Sequence, residues 1–417
     1  MVNVAVLGYG TVGSGVVEVL GRNAKVLEKN AGEEINLKYV LDLKEFPGTP
    51  IEKKVVHDFN IILNDDEVSV IVEVMGGVNP AYSFVKSALL KGKSVCTSNK
   101  ELVAKHGAEL LGIAAQKNVN FFFEASVAGG IPIIRPLEQC ITADEILEVS
   151  GILNGTTNFM LTKMEKEGAS YDGVLKEAQK LGYAERNPEA DVEGFDAGRK
   201  IAILSSIVCR KQVDFENVYT EGITGVTAED FAYAAKLGVT IKLVAKSCVT
   251  ADGMYVMVTP RMLRYGKPLA SVHDVVNAVC VKGNMLGDVM FYGAGAGKLP
   301  TASAVVSDIV DAVRHAGEYT DNGWSQEKQE LISIDEVENC FYVRMEGKAS
   351  EKEEELKKLF GGVTLCENVI DGEFAFVTGS VKEAEFAKAI CSLKGVKNRI
   401  RTVSYTHLRA HETLMNL

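Results

Sequence analysis

The stretch "LGYAERNPEADVEGFDAGRK", Leu181–Lys200, holds five carboxylates and ends on two cations. Asp196 and Lys200 stand four residues apart, so on a helix they share one face. The next residues, "IAILSSIV", are apolar. That helix is therefore expected to be buried, and a buried lysine must be paired or put to use. Glu185 and Asp191, in the loop before it, reach the same mouth. Together these groups supply carboxylates for a substrate ammonium and a lysine for proton transfer. The plain alternative is a surface ion pair of ~0.3–0.5 kcal/mol, which the apolar run argues against.

Three further motifs carry chemistry. "VLGYGTVGSG" places Gly8, Gly10 and Gly13 in a Gly-x-Gly-x-x-Gly pattern between a strand and a helix, with Thr11 and Val12 at the helix start. The first glycine allows the turn, the second lets backbone approach a pyrophosphate, and the third lets helix and strand pack. The helix N-terminus offers free N–H groups to the phosphates. NAD and NADP both remain in play: Asp42 closes the second strand and suits a ribose 2′-OH, whereas Lys44 suits a 2′-phosphate. The reading leans to NADP with mixed use. "CTSNKELVAKHG" sets Lys100 at a strand end, where open parallel sheets bind ligands. Ser98 or Asn99 is a good helix cap, but a cation at a helix start opposes the dipole, which points to a role for Lys100. "GILNGTTNFMLTKM" puts a polar turn containing Thr156 before a helix. Its N–H groups and hydroxyls suit a small carboxylate, and a capped helix start explains the same residues.

The elements that must position these groups fall into three parts. Strands at 2–8, 35–42, 68–77, 94–98 and 119–126 alternate with helices at 11–22, 80–91 and 100–117. This pattern predicts an α/β fold with a parallel, Rossmann-type sheet. Residues 127–299 read as α+β, with helices at 172–181, 196–209 and 228–236 and strands at 145–153 and 241–249. The run "YGAGAGKLPTASAVVSDIVDAV", 292–313, is a Gly-rich loop feeding a helix, with Pro300 in its first turn. From about residue 337 the order βαββαβ predicts a ferredoxin-like unit. The expected domains are 1–126 with about 300–330, then 127–299, then 337–404. The last residues, 405–417, fit no element and are read as a loose tail.

The composition narrows the function. The chain has 417 residues, 47% hydrophobic and 24% charged, with net charge −11. A strongly acidic balance argues against a nucleic-acid partner. The eight cysteines are spread without a C-x-x-C pair, so neither a zinc site nor a disulfide framework is expected. The start runs directly into a strand, and no apolar run approaches membrane-spanning length. A cytoplasmic location without membrane association is the expectation.

Taken in order, "GYGTVGSG", "TSNK", "FFEASVAGGIPI", "GILNGTTNFML", the Leu181–Ser205 stretch and "GAGAGKLPTASAV" resemble the homoserine dehydrogenases, from Val2 to about Val313. The resemblance implies NAD(P)-dependent interconversion of L-aspartate 4-semialdehyde and L-homoserine in threonine, methionine and isoleucine biosynthesis. It implies Lys200 as proton donor, with Lys100 near the carbonyl and nicotinamide. Glu185, Asp196, Asp191 and Thr156 would bind the substrate, and Gly295 and Gly297 would close over the cofactor. A sodium ion would sit on the Glu124 side chain and the carbonyls of Val127, Gly129 and Ile131, an all-oxygen set suited to a hard cation. A homodimer or homotetramer is implied. The C-terminal unit resembles an ACT domain, which implies a threonine effector. It departs from that pattern in reading "MEGKASEKEEEL" where an Asp-x-Pro-Gly turn is usual.

Overall fold

"VNVAVL" is a short, mostly apolar, valine-rich run stopped by a glycine. It forms β1 (Val2–Leu7), buried at all but its first residue. The computed structural model describes residues 1–321 and 323–402. After β1 come α1 (Thr11–Arg22), α2 (Ala24–Ala31), β2 (Ile35–Leu41), β3 (Val55–Val56), α3 (Phe59–Leu63) and β4 (Val68–Glu73). Then follow α4 (Ala81–Leu90), β5 (Ser94–Thr97), α5 (Lys100–Lys117) and β6 (Phe121–Phe122). The middle runs through β7 (Ile146–Ile152), α6 (Gly155–Glu167), α7 (Tyr171–Lys180), α8 (Glu189–Val192), α9 (Phe195–Cys209), β8 (Tyr219–Thr220) and α10 (Ala228–Lys236). It continues with β9 (Val239–Thr250), β10 (Gly253–Arg264), β11 (Val276–Gly283), β12 (Gly287–Ala294) and α11 (Lys298–Arg314). The last elements are β13 (Glu338–Glu346), α12 (Ala349–Phe360), β14 (Val363–Cys366), β15 (Glu373–Thr378), β16 (Val381–Lys382), α13 (Glu383–Ser392) and β17 (Val396–Thr402).

The chain forms two compact units, and the division falls inside α9. The first unit joins Met1–Val149, Arg199–Asn217 and Asn277–Glu330. Its six parallel strands run β3-β2-β1-β4-β5-β6, the doubly wound order of dinucleotide-binding sheets. Strand order reverses between β1 and β4, and ligands bind such sheets at the carboxyl ends beside that point. Val4, Val6, Val16, Val70 and Val72 pack with Ala302, Val305 and Ile309 of α11 in one core. On α1, Gly15 is required: a Cβ there would collide with the Lys298 carbonyl and Ala302. The unit also holds β12, β11 and the start of β7, paired in that order.

The second unit joins Ser150–Gly198, Val218–Val276 and the chain from Leu331. Here β9 and β10 form a long antiparallel hairpin. The C-terminal strands run β17-β13-β15-β14, antiparallel throughout, which is the ferredoxin-like arrangement that βαββαβ predicts. Phe341, Phe374, Phe376, Phe386 and Ile390 fill its core, and β17 pairs in parallel with β10. Buried ion pairs reinforce that junction: Arg401 grips Glu383 at 2.6 and 2.8 Å and reaches Glu221 at 2.5 Å.

Some elements differ from expectation. The strand expected over 119–126 is only β6, because Glu124–Ser126 coil into a 3-10 turn. β4 stops at Glu73, and Gly76 and Gly77 turn away with φ of 81° and 69°. Tyr292–Ala294 belong to β12 rather than to the loop before α11. Residues 403–417, including the tail at 405–417, lie outside the described residues.

Candidate active site

The glycine turn is packed on one side and open on the other. Gly8 has φ of 96° and packs on Met75, and a Cβ on Gly13 would collide with the Gly8 carbonyl. A Cβ on Gly10 would meet nothing within 4 Å. No side chain caps α1, so Thr11, Val12 and Gly13 present N–H groups and the positive helix end to that open side. This fits a dinucleotide pyrophosphate. Asp42, just after β2, accepts the N–H of Tyr9 (2.8 Å) and of Lys44 (3.0 Å). Its carboxylate is therefore tied directly to the glycine turn. On the same unit, Gly297 precedes α11 with φ of 117°, and a Cβ on Gly295 would collide with the Asn277 amide.

Lys100 is the first residue of α5, half-buried, and Asn99 rather than Ser98 caps that helix by accepting the Leu102 N–H at 3.1 Å. One residue on, Glu101 faces Arg199 of α9 at 3.9 Å. The neighbours of Lys100 and Lys200 therefore meet within the first unit. Lys200 itself is 9% exposed.

The carboxylates are organised by a residue that sequence reasoning treated only as part of a polar turn. Asn154 caps α6 by accepting the Thr157 N–H at 2.9 Å. Its amide nitrogen donates to Asp191 (2.7 Å) and to Asp196 (2.9 Å). Asp196 is buried and Asp191 half-buried, so one amide holds two carboxylates together. The Thr156 hydroxyl donates to the Tyr183 carbonyl at 2.6 Å. Glu185 stands on the exposed loop after α7, with its carbonyl accepting from Gln179.

Glu124 is buried, and its carboxylate accepts the N–H groups of Ile133, Ile134 and Arg135 at 2.7–2.9 Å. Arg135 also binds Asp308 and, at 2.5 Å, Asp311. Burial pushes the Asp308 carboxyl well above its usual range and the nearby Glu138 carboxyl up to about 8. The Val127–Ile131 turn packs on the loop before α11: Gly130 donates to the Ala294 carbonyl, and a Cβ on Gly129 would collide with Gly295. Among the described residues no group of three or more His, Cys, Asp or Glu side chains is arranged to hold a metal ion.

Comparison with known proteins matches residues 8–124 to the homoserine dehydrogenase NAD binding domain and 132–310 to homoserine dehydrogenase. The homoserine dehydrogenase of Bacillus subtilis is 44% identical over 320 residues, 75% of this chain and 73% of that protein. The chain belongs to the homoserine dehydrogenase family. The Neisseria gonorrhoeae member is 40% identical over 358 residues, 83% of this chain and 82% of its own. A Thiobacillus denitrificans homoserine dehydrogenase structure superposes with a TM-score of 0.88 at 36% identity, covering 97% of this chain and 98% of that one. As a family member the chain is an NAD(P)-dependent oxidoreductase of amino-acid biosynthesis, interconverting L-homoserine and L-aspartate 4-semialdehyde. Among the described residues no helix is long and apolar enough to cross a membrane.

Proposed function

We propose that Lys200 gives and takes the proton on the substrate oxygen during homoserine dehydrogenation. The observation that supports it is the burial of Lys200 on α9, one turn beyond Asp196. In a water-poor site, an ammonium stabilises the charge that develops on the oxygen and donates its proton there. Lys100 shares this work from the first turn of α5. Asp191, Asp196 and Glu185 take the substrate ammonium, and Thr156 offers the N-terminal end of α6 to the substrate carboxylate. Gly8, Gly10, Thr11, Val12 and Gly13 hold the pyrophosphate, and Gly295 and Gly297 cover the cofactor. Bound NAD(P) supplies or accepts the hydride; an archaeal homoserine dehydrogenase with TM-score 0.63 and 28% identity, covering 75% of this chain and 97% of its own, was solved in complex with NADPH. Lys200→Ala is expected to lower kcat by roughly 10²–10⁴, while NAD(P)H affinity, read by fluorescence, is nearly unchanged. Wild-type turnover in that variant refutes the assignment.

Further properties belong to the same reading. The domains are 1–126 with about 300–330, then 127–299, then an ACT-like 337–404. Sodium sits on Glu124, Val127, Gly129 and Ile131. Support comes from three carbonyls, of Val127, Gly129 and Ile131, on which no hydrogen bond ends among the described residues. Equal activity in sodium and choline chloride at matched ionic strength would refute this. The protein is a cytoplasmic homodimer or homotetramer. The edge strand β12 exposes Met290 and Tyr292, next to exposed Met285 and Leu286, and such an edge needs cover. A monomer mass by sedimentation would refute self-association. A threonine effector is taken at the start of α12, where a cavity of about 530 Å³ is lined by Gly347, Ser350, Asn368 and Asp371.

A further inference from the structure

We propose that Glu73 is the positioning residue that fixes Lys100 for the reaction, acting through Thr97 and Asn99. The inference rests on the reading of Lys100 given above. Glu73 ends β4 and lies in register with Leu7 of β1 on one side and Thr97 of β5 on the other. It therefore stands where the strand order reverses. Its side chain is 0% exposed. A carboxylate so placed persists only if its oxygens are bonded, and the bonds it makes define its task.

One oxygen accepts the Met75 N–H at 2.8 Å, and the other accepts the Thr97 hydroxyl at 2.6 Å. The Thr97 oxygen in turn accepts the Asn99 N–H at 3.0 Å. Asn99 donates its amide to the Gly77 carbonyl at 2.6 Å and accepts the Leu102 N–H in the first turn of α5. Thr97 and Asn99 are both buried. Lys100 is the next residue, so the backbone that aims it is held by this relay. On the other side, Met75 packs against Gly8, the first glycine of the cofactor turn. One carboxylate thus ties the loops after β4 and β5 to each other and, by packing, to the loop after β1. Burial pushes the Glu73 carboxyl up while Thr97, Asn99 and the Met75 and Gly76 amides pull it down, so the donors that order the loops also favour the charged acceptor. A glutamine would keep an acceptor at one of these positions and turn an N–H₂ toward the other, either the Thr97 hydroxyl or the Met75 amide, which already donates.

The test is a double-mutant cycle. Glu73→Gln and Lys100→Met are made singly and together, and melting temperature, NAD(P)H affinity, kcat and KM for homoserine are measured. Glu73→Gln is expected to fold, to bind cofactor nearly as before, and to lose about 10- to 100-fold in kcat. In the Lys100→Met background it should cause no further loss. Equal losses in both backgrounds, or wild-type kcat in Glu73→Gln, overturn the inference. Wild-type turnover in Lys100→Met instead removes the Lys100 assignment, and this inference with it. If Glu73→Gln fails to fold, Thr97→Val, which keeps shape and deletes only the relay hydroxyl, carries the same cycle.

Discussion

Lys242→Met should stabilise the protein near neutral pH and lose that advantage as the pH rises. Lys242 lies in β9 and is 0% exposed. Its ammonium donates to Asn158 at 3.3 Å and lies 3.4 Å from His273 Nδ1, two neutral partners at the long end of hydrogen bonding. Burial, only partly offset by Glu165 and Asp274, pulls its pKa from 10.5 down to about 8. A base with a depressed folded pKa binds fewer protons folded than unfolded between the two values, so stability rises with pH across that window. Below about pH 8 the full penalty applies. The gap between those two values corresponds to about 3 kcal/mol. Methionine fills nearly the same volume without charge. It forfeits the Asn158 bond, about 1 kcal/mol, and leaves a net gain of about 2 kcal/mol. For a unit of this size that is a rise in Tm of about 4–8 °C. Calorimetry of both proteins at pH 7 and pH 9.5, at one protein concentration, reads the difference. The gap should shrink markedly at the higher pH. A gap that is constant with pH, or a variant less stable at pH 7, would show that the ammonium is well accommodated and sink the argument.

Two other outcomes follow from the same structure. Asp42→Asn keeps an acceptor for the Tyr9 or Lys44 N–H but removes the charge at the end of β2, so the kcat/KM ratio of NADP to NAD should rise by about tenfold, ~1.4 kcal/mol; an unchanged ratio means that the carboxylate does not face the ribose. Threonine at millimolar concentration should inhibit and should raise Tm by mass action, and a flat dose curve without a thermal shift would leave the βαββαβ unit with a purely structural part.

What could be read in advance depended on whether a residue's task is local. The glycine turn is legible because strand, turn and helix sit within one short stretch and each glycine has a steric reason to be there. Asp196 and Lys200 fall on one helix, Phe195–Cys209, because a spacing of four is a property of the helix itself. Lys242 escaped notice because β9 is buried on both faces over Val239–Ala245, which erases the alternation that would flag a charge facing inward. Glu73 and Asn154 escaped for another reason. Their partners lie 24, 37 and 42 residues away, and no local pattern records such contacts. Asn154 was further hidden by a task that suffices to explain it, the capping of α6. Asn99 does the same before α5. In both, the side-chain oxygen accepts a helix N–H while the nitrogen donates elsewhere, to Gly77 from Asn99 and to two carboxylates from Asn154. Serine, threonine or aspartate would cap about as well, but none offers that second donor in the same plane. An aspartate in place of Asn154 would set a third carboxylate against Asp191 and Asp196. The choice of asparagine at both helix starts is thus the signal that each cap has a second, distant duty.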